Sequence, residues 1–348
     1  MKRRVIFGLI AAILVLSLVI TACSSPSPSG QTPAAKKTNL FFGSTSSTSG
    51  TYVWAVAIAN VVNTYAPNVS ITVVESGATY DNARKIKEGV FEGGLADSLT
   101  APFELSRGIE SFTGQAWEPI RILTLRDLAA SRLIVRADSG IKTWADLKGK
   151  KVWGGIPGSS AAEEITRANA TLGTGAILVP GTLDDAVQGL STGSIVAVHK
   201  SSNLDSFDAS FMQVHVQKPL MAIGFSDDEA AKLAAKYPQF FMTKTPAGTI
   251  KTNPNTTPLW EIYVVAVVPA SSRLSEEHGY QIIKAVKEHW NEVVQAYPSS
   301  GAYDPITTYL KTVPPALAVK VHAGVARYAK EIGVNIPPDF IPPEYKGK

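Results

Sequence analysis

Strand-like and helix-like patterns of apolar residues alternate along the chain from residue 39 onward. In the first part, each short apolar strand is followed by a loop of small polar residues and then by apolar residues at helical spacing. Three such units in succession are typical of a mostly parallel sheet covered by helices. The predicted strands are 39–43, 69–75 and 94–97, and the predicted helices are 52–65, 79–87 and 102–107.

The same alternation returns in the middle of the chain. Thr79 is placed to cap the helix that follows it, and Ser160 with Glu163 has the spacing of a capping box. Two amphipathic segments near the end, 276–297 and 315–332, each predict one long helix. In the middle part the predicted strands are 151–153, 176–179 and 195–198, and the predicted helices are 160–170, 183–190 and 225–236.

Two long apolar strands, near 130–136 and 260–268, separate these groups. Each is placed to pass between two lobes, so that the chain leaves the first lobe, builds the second and returns. The pattern therefore predicts an α/β, two-lobed, periplasmic-binding-protein-like (type II) fold, with hinge strands and a ligand cleft between the lobes. Lobe 1 is expected to comprise residues 39–130 and 259–348, and lobe 2 residues 131–258.

The amino-acid composition excludes several classes of protein and several kinds of site. With 45% hydrophobic residues, the 348-residue chain has ample material for a packed core, which excludes wholesale disorder. The net charge is +4, but Lys2, Arg3 and Arg4 account for three of the 33 basic residues, and 29 residues are acidic. The rest of the chain is therefore almost neutral, which gives no electrostatic case for nucleic-acid binding. A single Cys excludes an intrachain disulfide framework and a Cys-rich zinc site.

The N-terminus has the pattern of an export signal. A basic stretch, 1–4, precedes residues 5–22, which contain no charge, and Cys23 follows. A stretch of this length can also span a bilayer as an uncleaved anchor. However, the segment from Val19 to Cys23 resembles the bacterial lipobox, in which the Cys is lipidated and becomes the new N-terminus. We therefore expect a lipoprotein signal peptide at 1–22, with lipidation (palmitate) at Cys23.

Residues 24–37 are rich in Ser and Pro and have no apolar period. Such a segment cannot bury a core, so 23–38 is expected to be the lipidated Cys and a flexible tether. Both interpretations of the N-terminus place the folded part at the outer face of the cytoplasmic membrane, on the cell surface or in the periplasm.

Four segments, in chain order, carry a family resemblance. The loop 43–52, the segment 139–152 (SGIKTWADLKGKKV), the loop 155–160 (GIPGSS) and the segment 321–333 (VHAGVARYAKEIG) resemble the TAXI family of extracytoplasmic solute receptors of TRAP transporters. The resemblance implies capture of a small anionic carboxylate solute, such as an amino acid (glutamate-like) or a dicarboxylate, and its delivery to TRAP membrane permease subunits. The chain has Ser202 and Asn203 where the family often has a Gly-Pro.

Three predicted helices begin just after small polar loops, and such loops lie at one edge of a parallel sheet. Free N–H groups and the positive end of the helix dipole at these starts suit a carboxylate. Ordinary helix capping also explains each Ser or Thr taken alone. His199 and Lys200 end a predicted strand, where a cation can pair with a carboxylate. The predicted ligand-binding residues are Ser47, Thr48, Gly50, Thr51, Tyr52, Gly77, Thr79, Asn82, Gly158, Ser159, Ser160, His199 and Lys200.

No catalytic constellation stands out. The five His are dispersed, and HExxH, CxxC, a P-loop Lys and GxSxG are all missing from the sequence. We therefore expect no enzyme activity, no cofactor, no metal and no nucleic-acid partner. Three alternatives to the transport receptor stay open: a lipid-anchored sensory ligand-binding domain, an extracytoplasmic enzyme on the same fold, and a structural lipoprotein.

Overall fold

A ten-stranded mixed sheet runs through the part of the chain that the computed structural model describes, residues 37–347. The predicted signal segment, Cys23 and nearly all of the tether lie outside these residues. Within them, no helix has both the length and the apolar character needed to cross a membrane. The strands are β1 (Thr38–Gly43), β2 (Val69–Val74), β3 (Gly93–Gly94), β4 (Ile120–Arg136), β5 (Lys151–Trp153), β6 (Ile177–Val179), β7 (Ala197–Asn203), β8 (Leu220–Ile223), β9 (Met242–Thr245) and β10 (Leu259–Ser271).

Eleven α-helices among the described residues cover the sheet, connected in places by short 3₁₀ turns. They are α1 (Gly50–Tyr65), α2 (Thr79–Glu88), α3 (Thr100–Arg107), α4 (Ser160–Leu172), α5 (Leu183–Thr192), α6 (Met212–Gln217), α7 (Asp227–Lys236), α8 (Glu276–Glu288), α9 (Trp290–Ala296), α10 (Thr307–Thr312) and α11 (Ala323–Glu331).

The strand order is β2-β1-β3-β10-β4-β7-β5-β6, with β8 beside β4 and β9 beside β10. β1 is parallel to β2 and β3, and β5 is parallel to β6 and β7. These parallel groups stand at the two ends of the sheet, and β4 and β10 join them. This is the α/β architecture that the alternating pattern predicts.

The two long strands cross the molecule, but β4 is longer than the predicted 130–136, and it meets β10 through residues 120–130. They are antiparallel, and Tyr263 of β10 pairs with Ala130 of β4 while Ser271 pairs with Ile120. Beyond this shared ladder, β4 continues against β7 and β8, and the start of β10 pairs with β9. Every residue of β4 except Arg136 is buried, and this burial explains why the segment is rich in apolar residues.

The hydrophobic core is divided between two ends of the sheet. One cluster, here called the lobe 1 core, takes residues from 40–128 and 265–340. Two further clusters, together the lobe 2 core, take residues from 133–262. Ala129, Val264 and Ala266 form a small separate cluster where β4 and β10 pair. The paired strands β4 and β10 therefore connect the two cores, as in the two-lobed binding-protein fold.

The two predicted long helices near the end of the chain are wrong in extent. The segment 276–297 is two helices, α8 and α9, because His289 leaves the helical conformation with φ −115° and ψ 27°. The His289 ring stacks on Tyr65 of α1, with 3.4 Å between ring centroids, and this tertiary contact accompanies the break. The segment 315–332 contains a short 3₁₀ turn at Pro315–Leu317, and α11 begins later, at Ala323.

Candidate functional site

Two adjoining small cavities lie where the loops of both lobes meet. Their volumes are about 90 Å³ and 20 Å³, and they share Thr51, Lys200 and Ser201. The first cavity is lined by Gly50, Thr51, Arg126, Ala129, Lys200, Ser201, Ser202, Asn203, Asp208, Ala209 and Tyr297. The second is lined by Thr45, Ser49, Thr51, Ala78, Asp97, Trp153, Ile156, Ser159, Ser160, Ala161, Leu183, Lys200 and Ser201.

A larger groove of about 680 Å³ lies elsewhere, on lobe 2, between Lys142, Met221 and the loop 253–259. Its lining comes from lobe 2 alone. It shares no residue with the two small cavities. The interlobe cavities contain residues of both lobes and several charged side chains, so they are the candidate site.

The start of α1 supplies the lobe 1 wall. Ser49 is the N-cap, and its hydroxyl accepts a hydrogen bond from the Tyr52 backbone N–H at 3.2 Å. Gly50 and Thr51 then begin the helix and line the cavity. Their backbone N–H groups belong to the first turn, which has no intrahelical acceptor, and the helix dipole is positive there.

The start of α4 supplies the opposite wall, from lobe 2. The predicted N-cap, Ser160, is wrong by one residue: Ser159 is the cap, and its hydroxyl accepts from the Ala162 backbone N–H at 3.2 Å. Ser160 is the first residue of the helix and is buried at the cavity wall. With Ser159 and Ala161 it places the first turn of α4 against the same space as the first turn of α1.

The third predicted helix start, that of α2, is engaged by protein instead. The Tyr80 backbone N–H donates to the Gly158 carbonyl oxygen of the lobe 2 loop at 2.7 Å. Thr79 does not cap α2, because Ala78 is the N-cap, at φ 68° and without a side-chain hydrogen bond. The Thr79 hydroxyl instead accepts from the Asp97 backbone N–H at 3.0 Å. Gly158 thus joins the lobes at this point.

Arg126 on β4 is the main cation on the lobe 1 side. Its Nη1 atom lies 2.7 Å from both Asp97 Oδ1 and Thr51 Oγ1, and its Nε donates to Asp127 Oδ1 at 3.1 Å. Burial disfavours the charge, but Asp127 and Asp97 outweigh it and raise the pKa of Arg126. Burial raises the pKa of Asp127, and Arg126 counteracts the rise. Asp127 Oδ2 has no hydrogen-bond partner among residues 37–347.

Lys200 on β7 is the cation on the lobe 2 side. Its Nζ lies 3.2 Å from Asp208 Oδ2, and both side chains line the larger of the two cavities. Burial disfavours the charge of Lys200, but Asp208 and then Asp97 raise its pKa. Burial works the other way on Asp208, and Lys200 with Ser210 lowers the pKa of that carboxyl overall. The cavities are therefore lined by two cations, Arg126 and Lys200, and two carboxylates, Asp97 and Asp208, while Asp127 pairs with Arg126 outside the lining.

His199 does not face the cavities. It precedes Lys200 on β7, so its side chain points to the opposite face of the sheet, where it is completely buried. Its Nδ1 atom lies 3.8 Å from Oε2 of Glu164, which is also buried. Burial lowers the pKa of His199 to about 4 and raises that of Glu164 to about 8. The predicted cationic role of His199 is therefore wrong, because the ring is neutral at pH 7.

The remaining predicted site residues do not line these cavities. Ser47 and Thr48 are exposed, and the Ser47 backbone N–H donates to Glu75 at 3.2 Å. Asn82 is completely buried, and its Nδ2 donates to the Ser44 and Leu95 carbonyl oxygens at 2.8 Å. Tyr52, half-buried on α1, and Gly77, whose N–H donates to Asp81, lie outside the lining as well. Gly50, Thr51, Ser159, Ser160 and Lys200 are the predicted residues that the fold brings together at the cavities.

Sequence reasoning missed most of the charged site. Arg126 and Asp127 interrupt the apolar run of β4 in its middle, and two adjacent charges in such a strand are a usable signal. Asp97 and Asp208 lie in loops after short elements, and the sequence alone predicts that an acidic loop residue is exposed to solvent. Tyr297 has no signal in the sequence. It comes from the end of α9, and its ring centroid lies 6.0 Å from Arg126 Cζ.

Solved structures similar to this chain include several binding proteins. The periplasmic aliphatic sulphonate binding protein SsuA from Escherichia coli is 17% identical, covering 84% of this chain and 90% of its own, with a TM-score of 0.42. A putative L-cystine ABC transporter protein from Listeria monocytogenes is 10% identical, with coverages of 76% and 98% and a TM-score of 0.48. A TctC solute binding protein from Polaromonas is 14% identical, with coverages of 77% and 90% and a TM-score of 0.46. At these identities the similarity is one of fold.

The sequence itself matches a family model over most of its length. The matched residues are 43–333, which include both crossing strands and the elements that line the interlobe cavities. This match does not by itself single out the TAXI family that the motifs resemble. From this match, the chain belongs to the NMT1-like family and is of the periplasmic solute-binding type.

Proposed function

We propose that this chain is the extracytoplasmic receptor of a TRAP transporter, and that it binds a small amino acid between its lobes. The observation that carries the proposal is the meeting of two helix N-termini, those of α1 and α4, at cavities that also contain Arg126 and Lys200. One wall comes from each lobe. A solute bound there contacts both lobes, and this is the condition under which binding favours closure.

The helix starts and the cations suit the carboxylate of the solute. Backbone N–H groups at a helix N-terminus donate to an anion without side-chain rearrangement, and the helix dipole adds to the attraction. Ser160 begins α4 at the cavity wall, where its hydroxyl is a further short donor. The Thr51 hydroxyl already donates to Asp97 Oδ1 at 3.2 Å and accepts from Arg126, so it helps to hold these charges at the cavity wall. The carboxylate of the solute is therefore proposed to lie between the first turns of α1 and α4.

The charge balance favours an amino acid over a dicarboxylate. Arg126 and Lys200 already have Asp97, Asp127 and Asp208 as partners, so negative charge exceeds positive charge before any solute enters. A dicarboxylate would add two further negative charges, whereas an amino acid adds an ammonium group with its carboxylate. Asp97, which pairs with Arg126 and lines the smaller cavity, is the carboxylate that an ammonium group can reach there.

The cavity size favours a compact solute. The larger interlobe cavity measures about 90 Å³, less than the engineered cavity of ~150 Å³ that accommodates benzene. A short side chain therefore suits this lobe arrangement better than a long one. Entry itself requires the lobes to separate, because residues of both lobes enclose the cavities.

The TRAP permease and the lipid anchor rest on sequence resemblance. The segments 139–152 and 321–333 support a TAXI-type receptor, and the lipobox-like segment ending at Cys23 supports attachment at the outer face of the membrane. The receptor would then present its closed, loaded form to the permease. No step in this sequence of events needs chemistry by the protein.

The experiment is a thermal-shift screen of the purified protein against amino acids, dicarboxylates, keto acids and sugar acids. A solute at 100 times its Kd adds about 2.7 kcal/mol to the free energy of unfolding, so a true ligand raises the melting temperature measurably. We expect the largest shifts from small neutral amino acids. Shifts from dicarboxylates alone would overturn the charge argument, and shifts from neutral sugars or cations alone would overturn the anion site.

A further inference from the structure

A second set of interlobe contacts lies away from the solute cavities and is centred on one buried carboxylate. Glu104, on α3, is completely buried, and α3 packs into the lobe 1 core through Phe103 and Leu105. Arg167, on α4, packs beside Ile165 of the lobe 2 core. The two side chains form a bidentate ion pair, in which Nη2 lies 3.0 Å from Oε2 and Nη1 binds Oε1.

Both lobes complete the hydrogen bonds of this pair. Gln239, from lobe 2, donates its Nε2 to Glu104 Oε1 at 3.0 Å, and the Tyr80 hydroxyl of lobe 1 donates to Oε2 at 3.2 Å. Ser111, from lobe 1, donates its hydroxyl to Glu163 on α4 at 2.9 Å. Arg167 Nη2 in turn donates to the Ser111 hydroxyl at 2.9 Å.

Aromatic rings exclude water from the Arg167 guanidinium. Its Cζ atom lies 5.4 Å from the Tyr237 ring centroid and 5.9 Å from those of Tyr80 and Phe240. Tyr80 belongs to lobe 1, while Tyr237 and Phe240 belong to lobe 2. The charge is therefore enclosed by both lobes, as Glu104 is.

This arrangement is complete only while the lobes are in contact. When they separate, Glu104 loses Arg167 and Gln239 together, and both charges return to water. In the closed arrangement each charge needs the other, because a buried charge without its partner is strongly unfavourable. Arg167 is seven residues beyond Ser160, about 10 Å along α4, and does not line the solute cavities.

We propose that Glu104 and Arg167, with Ser111, Glu163 and Gln239, form a latch that sets the equilibrium between the open and closed lobes independently of solute contacts. The latch makes closure selective for the correct lobe arrangement, because any misplacement leaves a buried charge unpaired. It goes beyond the proposed transport function, and it acts whichever solute the cleft binds.

The test measures the distance between the lobes directly, without solute. Spin labels are placed at Cys residues introduced by Asn60→Cys on α1 and Ala231→Cys on α7, both exposed positions, in the full chain carrying Cys23→Ser. Double electron–electron resonance then gives the populations of short and long distances. The variants are Arg167→Met, Glu104→Gln and the two combined.

We expect Arg167→Met to lower the ratio of closed to open lobes at least ~10-fold, because it leaves Glu104 buried without a cation. Glu104→Gln should have a smaller effect, since Arg167 keeps Glu163 at 3.3 Å. The double variant buries no unpaired charge at position 104, so it should return toward the wild-type ratio rather than add the two losses.

The matched control is Arg121→Met. Arg121 is as buried as Arg167, but its partners Glu118 and Glu344 surround it within lobe 1. The Arg121→Met variant should have a lower melting temperature but the same distribution of distances between the lobes. An unchanged distribution in Arg167→Met, an equal shift in Arg121→Met, or strictly additive opening in the double variant would each overturn the latch. Solute binding enters none of these readouts, so failure of the proposed transport function is detected separately.

Discussion

Gly158→Ala places a methyl group at a contact between the two lobes. Gly158 has φ +90°, and a Cβ atom there would lie 2.9 Å from the Gly77 carbonyl oxygen of lobe 1 and 3.4 Å from Asp81 Cβ. Its own carbonyl oxygen accepts the Tyr80 N–H at 2.7 Å, so the backbone has little freedom to withdraw. Since a carbon–oxygen contact under 3.0 Å forces a shift, the lobes must move apart locally.

The expected magnitude has two parts. A left-handed backbone conformation costs an L-residue about 1–2 kcal/mol, and this part lowers stability whether the lobes are open or closed. Separation of Gly158 from lobe 1 weakens the hydrogen bond to Tyr80, worth about 1 kcal/mol. Only the second part opposes closure. We therefore expect the Kd of the bound amino acid to rise about fivefold, or tenfold if the displacement also disturbs Ser159 and Ser160.

Gly140→Ala is the matched control. Gly140 has φ +76°, but a Cβ atom there meets nothing within 4 Å. The two variants therefore share the backbone cost, and they differ in the interlobe contact. Isothermal titration calorimetry with the best amino acid from the thermal-shift screen gives both affinities. Equal affinities for Gly158→Ala and Gly140→Ala, at comparable losses of melting temperature, would refute the reasoning.

Three further predictions concern charge and anchoring. Arg126→Met leaves the buried Asp127 without its cation, so the free energy of unfolding should fall by about 3–5 kcal/mol in urea titrations. Solute binding, measured by calorimetry, should weaken at least ~10-fold. Unchanged binding would remove Arg126 from the site. Cys23→Ser should abolish labelling by radioactive palmitate, and persistent labelling would contradict the lipid anchor. The opposite pKa shifts of Glu164 and His199 should make the free energy of unfolding depend on pH.

Glu164, with its pKa raised to about 8, keeps a proton that the unfolded chain loses near 4.5, so stability falls as pH rises between these values. His199, with its pKa lowered to about 4, stays unprotonated in the folded chain between pH 4 and 6.5, where the unfolded chain binds a proton. Stability therefore rises with pH over this range. The two trends oppose each other between pH 4.5 and 6.5. From pH 6.5 to 8 the loss from Glu164 remains, roughly 2 kcal/mol, and Glu164→Gln should remove it from thermal melts. A decline of the same size in that variant would contradict this assignment.

The crossing strands could be predicted because burial on both faces leaves a strong signal. In β4 every residue but Arg136 is buried, and apolar residues flank the charged ones along the whole strand. The two-lobed fold followed from two such runs separated by a βαβ-type group. The apolar pattern of each strand is a local property of the sequence, and it does not depend on which residues meet across the cleft.

Several helix ends were predictable to within two residues: α1 begins at Gly50 rather than 52, and α3 at Thr100 rather than 102. Ser159 and Ser160 are adjacent and chemically identical, and the backbone conformation, rather than the residue type, decides that Ser159 is the cap. Thr79 has the composition of a cap, yet Ala78 occupies that position in an unusual conformation because Gly158 engages the start of α2. Such contacts between lobes have no trace in a single sequence.

The choice between His199 and Lys200 depended on the face of one strand. His199 is completely buried beside Glu164, whereas Lys200 lines both cavities. Asp97 and Asp208 reach the same cavities from separate loops, and long-range placement of this kind could not be read from their local surroundings.

The most direct test of the account is a crystal structure of the protein grown with the amino acid that raises its melting temperature most. We predict density in the interlobe cavities, with the carboxylate at the first turns of α1 and α4 and the ammonium beside Asp97. Density in the lobe 2 groove near Lys142, with the interlobe cavities filled by protein side chains alone, would contradict it.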